Sequence, residues 1–326
     1  VSPRVLAAGH WAGGEPASPS ALAALATVGE GFASVRPEWG IDLVPFGPGP
    51  ALVDALSSTG EHPYAPVVVG IEEASTATAG AAAREALDAG LVPVVEGGHA
   101  IDVDCGLGFL SAFAGVDLAS EKLEETLPRA IAAGREILGG RDLIAAASTA
   151  RPLLGLNSVL ALGVDLEART TQDRALTALL SRVLAVPARS PLPLAGGSSA
   201  DADAPGRAPG SGAAGGAAAM IAAIGGRIVP TGNFLRAALD LDARMERADL
   251  VVVLEPALHS PHLADALLDV VTETAAAFAL PVVGLGVDSS LSGHERAEWG
   301  LHGQFLTEGR IGLAEAGARI ARTWTR

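Results

Sequence analysis

At 326 residues the chain is long enough for one large domain or two ordinary ones. A net charge of −15 argues against nucleic-acid and anionic-membrane surfaces, which need clustered cations, and no apolar run reaches the roughly 20 residues of a membrane span. Cys105 is the sole cysteine, which excludes an internal disulfide and a thiolate metal cluster. The start, VSPRVLAAGH, is too short an apolar stretch for a signal peptide, so a cytoplasmic protein is expected. Lys122 is the sole lysine and lies among Glu121, Glu124 and Glu125 on an expected solvated helix face. An anion site must therefore use arginine, backbone N–H groups or a metal.

Taken in order, Val5 to Ala8 reads as a buried strand ending in the loop Gly9 to Gly14, and a helix follows from Pro19 or Ser20 to Ser34. Ile41 to Val44 is a second strand, Pro45 to Pro50 a turn-rich loop, and Ala51 to Ser57 a short helix. Pro66 to Ile71 and Val92 to Val95 are strands around a helix at Ala79 to Ala89. Helices are expected at Leu107 to Ala114, Lys122 to Leu138 and Thr171 to Val186, with a strand at Asp142 to Ala147. Arg189 to Ala208 is rich in Pro, Gly, Ser and Asp and reads as a mobile linker. Beyond it the pattern gives helices at Phe234 to Arg247, Leu263 to Phe278, His294 to Gly300 and Gly312 to Thr323. It gives strands at Leu250 to Leu254 and Pro281 to Leu285, with Phe305 in a brief strand or loop.

Alternating helices and continuous apolar strands predict an α/β fold, a Rossmann-like parallel sheet flanked by helices with a second, smaller α/β domain inserted in the chain. The expected division is 1–64 plus 217–326 for the first domain, 65–188 for the second, 189–208 for the linker and 209–216 for a glycine-rich loop at the junction. Ligands in such sheets bind at the carboxyl ends of strands. That rule selects the loops Gly9 to Gly14, Pro45 to Pro50, Gly97 to Gly106 and Glu255 to His262.

The stretch Pro209 to Pro230 joins a glycine cluster, Gly210 to Gly216, to a small-residue helix, Ala217 to Ile224. Such a junction either offers backbone N–H groups and a helix dipole to a phosphate or carboxylate, or serves only tight packing. Asp102 and Asp104 are either ligands or solvated turn acids; Glu255 directly follows a strand; Arg151 is either a site cation or a partner for a nearby carboxylate. His10, His99, His259 and His262 fall in strand-end loops, where with Asp104 and Glu255 they form one candidate metal set. Trp11 either stacks on a base or covers the sheet edge, and Cys105 reads as a small buried residue.

The order of these motifs resembles the bacterial glycerate kinase family of two α/β domains. Its GAGAAGG loop and ADLVITGEG strand are matched by GSGAAGG at Gly210 to Gly216 and by ADLVVVLEP ending at Pro256. Val92 to Leu110 is similar to the family's GGSATNDGGAG segment, Ala145 to Gly163 to its CDVDNPL segment, and Val53 to Leu56 to the helix after its ADGGEGT loop. The departures are extensive. The DSFKG loop has become Gly9-His10-Trp11-Ala12-Gly13, the ADGGEGT loop has lost its acids, and the two CDVDNPL acids fall on Ser148 and Ala150. Arg151 takes the asparagine position, Asp104 matches the family aspartate only with one residue inserted, and Glu255 is the acid kept from GEGRIDGQT.

The resemblance implies ATP-dependent phosphoryl transfer to the hydroxyl of glycerate or a similar small hydroxy acid, with ATP and Mg2+ as cofactors. Asp104, Glu255 and Arg151 would be catalytic, Asp104 and Glu255 the candidate magnesium ligands, and Gly97, Gly98, Gly210, Ser211, Gly212, Ala213, Gly215 and Gly216 the substrate- or phosphate-binding residues. The implied partners are the hydroxy acid and the nucleotide, with no nucleic acid and no membrane; a homodimer is allowed. The alternative implied by the lost motifs is an inactive homologue that binds an anionic metabolite or a protein partner. A histidine-using hydrolase or metal-dependent enzyme is a third, more distant reading.

Overall fold

The computed structural model describes residues 2–11, 19–70, 73–98, 104–118, 122–162, 171–185, 204–259 and 267–325. The chain divides into two compact units, Val1–His62 with Gly232–Arg326, and Pro63–Thr231.

The first unit opens with β1 (Arg4–Gly9), α1 (Ala21–Ala33), β2 (Gly40–Pro45) and α2 (Pro50–Ser58). The second contains β3 (Tyr64–Val68), α3 (Ala77–Asp88), β4 (Val92–Gly97), α4 (Leu107–Ala114), α5 (Leu123–Leu138), β5 (Ile144–Ala147), α6 (Val159–Leu162), α7 (Thr171–Val183), α8 (Ala217–Ile224) and β6 (Arg227–Pro230). The chain then runs through α9 (Thr231–Ala238), α10 (Leu241–Met245), β7 (Leu250–Leu254), β8 (Ala257–Leu258), α11 (Leu268–Ala277), β9 (Val282–Gly286), β10 (Asp288–Ser289), α12 (Gly293–Glu298), β11 (Gly303–Leu306) and α13 (Leu313–Trp324).

In the first unit the strand order is β11-β9-β7-β1-β2, every pair parallel. β7 is central, and each of its five residues is buried, as the unbroken apolar run LVVVL requires of a strand covered on both faces. Ser20 caps α1 by accepting from the Ala23 amide. α1 packs on α13 with the backbones almost touching. A Cβ on Gly31 would lie 1.9 Å from the Ala314 carbonyl oxygen, and one on Gly317 2.1 Å from that of Val28.

The second unit holds a four-stranded parallel sheet of order β3-β4-β5-β6. Its core joins Val95, Phe109, Phe113, Leu127 and Ile144's neighbours on β5 to α8, in which Ala217, Ala218, Ala219, Met220 and Ile221 are all fully buried. The small side chains of α8 let it lie close under the sheet.

Three expectations need correction. Residues 217–231 belong to the second unit, because β6 hydrogen-bonds along β5 from Arg227 to Pro230; the strand is short and half exposed, so its pattern does not stand out. The helix expected over Phe234 to Arg247 is broken at Asp240, which has a φ of +51°, giving α9 and α10. The last five residues of the expected linker, 204–208, are packed: Ala204 is buried and the Gly206 carbonyl accepts from the Leu154 amide. The rest of the linker, 189–203, lies outside the described residues.

Candidate functional site

The carboxyl edge of the first sheet carries His10 after β1, Phe46 and Gly47 after β2, and Glu255 after β7. The His10 amide donates to the Leu254 carbonyl, so His10 and Glu255 stand on adjacent strand ends. Glu255 is 5% exposed. Its amide donates to the Leu285 carbonyl, and its Oε1 accepts from the amide of Leu267 at 3.1 Å, at the start of α11. Burial pushes its carboxyl up to about 7, the Asp269 charge adds to the rise, and the α11 amides oppose it.

Among the described residues no carboxylate favours the charged form of His10. Burial lowers its pKa to about 4, and Nδ1 is buried without a hydrogen-bond partner. Its ring lies against the backbone of Gly47, where a Cβ would come within 2.6 Å of Cδ2. The glycine at 47 is thus the space the ring occupies. Trp11 is half buried and packs on the core of this unit, in keeping with an edge cover.

The carboxyl edge of the second sheet is built from the ends of β4, β5 and β6 and the glycine-rich loop. A Cβ on Gly97 would lie 2.9 Å from Ala214 Cα, and the Ala214 amide donates to the Gly98 carbonyl at 3.1 Å. The loop residues 210–216 are all buried. Six of their seven amides, all but that of Gly215, donate to carbonyls within the chain. Gly210 donates to Ala150, Ser211 to Ala208, Gly212 to Arg151, Ala213 to Gly210, and Gly216 to Ala213. Ser211 Oγ accepts from the Leu153 amide at 2.9 Å. Six donors of the expected anion cradle are thus turned inward to carbonyls. Gly215 takes a left-handed φ of +63° inside the turn that leads to α8.

Asp104 is tied up in the same way. Oδ1 accepts from the Thr76 hydroxyl at 2.8 Å and the Gly106 amide at 3.0 Å, and Oδ2 from the Ser75 hydroxyl and the Thr76 amide, both at 2.8 Å. A carboxylate has about four lone-pair sites, and four donors fill them. Asp104 braces the starts of α3 and α4 rather than awaiting a magnesium ion. Arg151 is exposed, with its amide bonded to Thr149 Oγ1.

One carboxylate escaped the sequence reading. Glu96, at the end of β4, is 1% exposed, and Ser148 Oγ donates to its Oε1. Ser148 in turn lies 2.9 Å from the hydroxyl of Thr231, just past β6. An acid inside the apolar run VPVVEGG was the available signal.

The glycerate kinase family model matches residues 25–324. The chain belongs to the glycerate kinase family. The fold agrees: the crystal structure of a "putative glycerate kinase 2" from Salmonella typhimurium LT2 superposes with a TM-score of 0.66 over 98% of each chain, at 18% identity. No curated protein shows significant similarity to the chain.

For a metal the described residues offer little. No three His, Cys, Asp or Glu side chains come together among them. His259 Nδ1 pairs with Ser290 Oγ at 2.7 Å, and His99, Asp102 and His262 lie outside the described residues. Asp104 and Glu255 fall in different units. The described side chains do not fit a magnesium site of their own. Cys105 is buried with a φ of +54°, as a small core residue at a turn. No helix among the described residues is long and apolar enough to cross a membrane.

Proposed function

We propose that the chain transfers a phosphoryl group from ATP to the hydroxyl of glycerate or a similar small hydroxy acid in the cytoplasm. The observation that carries this reading is Glu255: a buried carboxyl at the end of a central parallel strand, which burial pushes up to about 7. A general base works best when its pKa lies near the operating pH, and family membership supplies the reaction class. In this reading Glu255 accepts the hydroxyl proton. Magnesium enters with the nucleotide, and no role for it is derived from the side chains.

Isothermal titration with Mg-ATP and then D-glycerate, followed by a coupled ADP-release assay, tests the proposal. Heat from Mg-ATP and glycerate-dependent ADP release are expected, with release falling about 100-fold or more in Glu255→Ala. Absence of heat from either ligand at millimolar concentration overturns it.

A further inference from the structure

Three buried oxygen-bearing side chains meet across neighbouring strand ends of the second sheet. Glu96 closes β4, Ser148 follows β5 and Thr231 follows β6, with exposures of 1%, 6% and 0%. Ser148 Oγ donates its one proton to Glu96 Oε1, so in its 2.9 Å contact with Thr231 it must be the acceptor and Thr231 the donor. A hydroxyl has one proton and two lone pairs. With the proton directed to Glu96 and one lone pair to Thr231, Ser148 keeps one lone pair, and it is the most exposed of the three. Position 148 is also where an acid of the CDVDNPL segment falls in the resemblance described above.

We propose that Glu96 is a positioning residue for a hydroxyl-bearing ligand of the second unit. By taking the Ser148 proton it fixes Ser148 as a hydrogen-bond acceptor, selecting a ligand that presents a hydroxyl donor to the carboxyl edge of this sheet. Glu96 itself does not touch the ligand. The inference rests on the phosphotransferase reading, in which that ligand is a substrate.

The test compares ADP release by the full-length wild type, Glu96→Met, Glu96→Gln, Ser148→Ala and the Glu96→Met/Ser148→Ala pair, each with its melting temperature. The Met variant frees the Ser148 proton, and kcat is expected to fall at least 10-fold with KM for ATP within twofold. The Gln amide oxygen still accepts from Ser148, so Glu96→Gln is expected to keep at least a third of wild-type kcat. Ser148→Ala should match Glu96→Met, and the double variant should be no slower than either, because both changes break one linkage. Glu96→Met turning over within twofold of wild type, or losses that multiply in the double variant, overturns the inference alone. If Glu96→Met fails to fold, Ser148→Ala and Glu96→Gln decide by the same criteria. A wild-type chain without turnover removes the phosphotransferase reading and the inference with it.

Discussion

Thr76 holds both oxygens of Asp104, through its hydroxyl to Oδ1 and its amide to Oδ2, each at 2.8 Å. The same hydroxyl accepts from the Phe109 amide at 2.8 Å, so one side chain joins the start of α3 to the first turn of α4. Asp104→Ala strands the Ser75, Thr76 and Gly106 donors. A loss of about 3 kcal/mol is expected, since each buried donor left unsatisfied costs roughly 1–3 kcal/mol and water reaches some of them. Asp104→Asn should lose less. Urea denaturation, followed on the transition of the unit spanning 63–231, measures both.

Gly106 and Gly216 admit each other. Gly106 has a φ of +76°, and a Cβ there would lie 2.4 Å from the Gly216 carbonyl oxygen, a backbone atom with no freedom to give way. Gly106→Ala is expected to cost roughly 2–4 kcal/mol. Gly90, with a φ of +80° and no atom within 4 Å of its Cβ position, is the control: Gly90→Ala should cost about 1 kcal/mol from backbone strain alone.

Much of the fold could be read from residue type. LVVVL is a strand wherever it is buried on both faces, and LGFLSAFA between Gly106 and Gly115 begins and ends as expected because glycines at positive φ flank it. The site was less legible. A glycine cluster has the same letters whether its amides face a ligand or a neighbouring carbonyl, and the partners that decide the matter, Ala150, Arg151 and Gly98, are long-range. Asp104 is spoken for by residues 28 and 29 positions away. Glu96 was passed over because a strand-end acid shows its chemistry only once the adjacent strand places Ser148 beside it.

Glu255 makes stability depend on pH. Its folded-state pKa of about 7 lies above the ordinary carboxyl value of 4.5, so the folded state holds the proton more tightly. Its favourable contribution is complete below about 4.5 and is lost as pH rises to about 7, roughly 3 kcal/mol over the window. Glu255→Gln should therefore unfold at higher denaturant than wild type at pH 8, while the difference shrinks toward pH 4.

His10 slopes the other way. Its pKa falls from 6.5 to about 4, so the unfolded state binds the proton more readily, and stability is lost as pH drops through that interval. His10→Phe, which keeps a ring against Gly47 and removes the unpartnered Nδ1, should be more stable than wild type at pH 5 by about 2 kcal/mol or more. Between about pH 4.5 and 6.5 the two residues oppose each other, so the wild type should show a flatter profile than either variant.

Arg151 is exposed, so Arg151→Ala should shift the melting temperature little, the equivalent of about 0.5 kcal/mol or less. If its guanidinium acts on the transferring group, kcat should fall at least about 10-fold, because catalysis of phosphoryl transfer is mostly charge stabilisation. Unchanged kcat would leave Arg151 without a catalytic role.

The placement of β7 between β1 and β9 affects how the chain is made. Arg4–Gly9 must wait for Leu250–Leu254, and all of Pro63–Thr231 leaves the ribosome in between. At synthesis rates of roughly 5–20 residues per second, the interval is on the order of 10–50 s. During it the second unit is complete while the apolar β1 and β2 lack the strand that joins them to the rest of their sheet. A nascent chain in which the second unit has emerged and Leu250–Leu254 has not should therefore present a folded second unit and a labile, chaperone-binding amino-terminal segment.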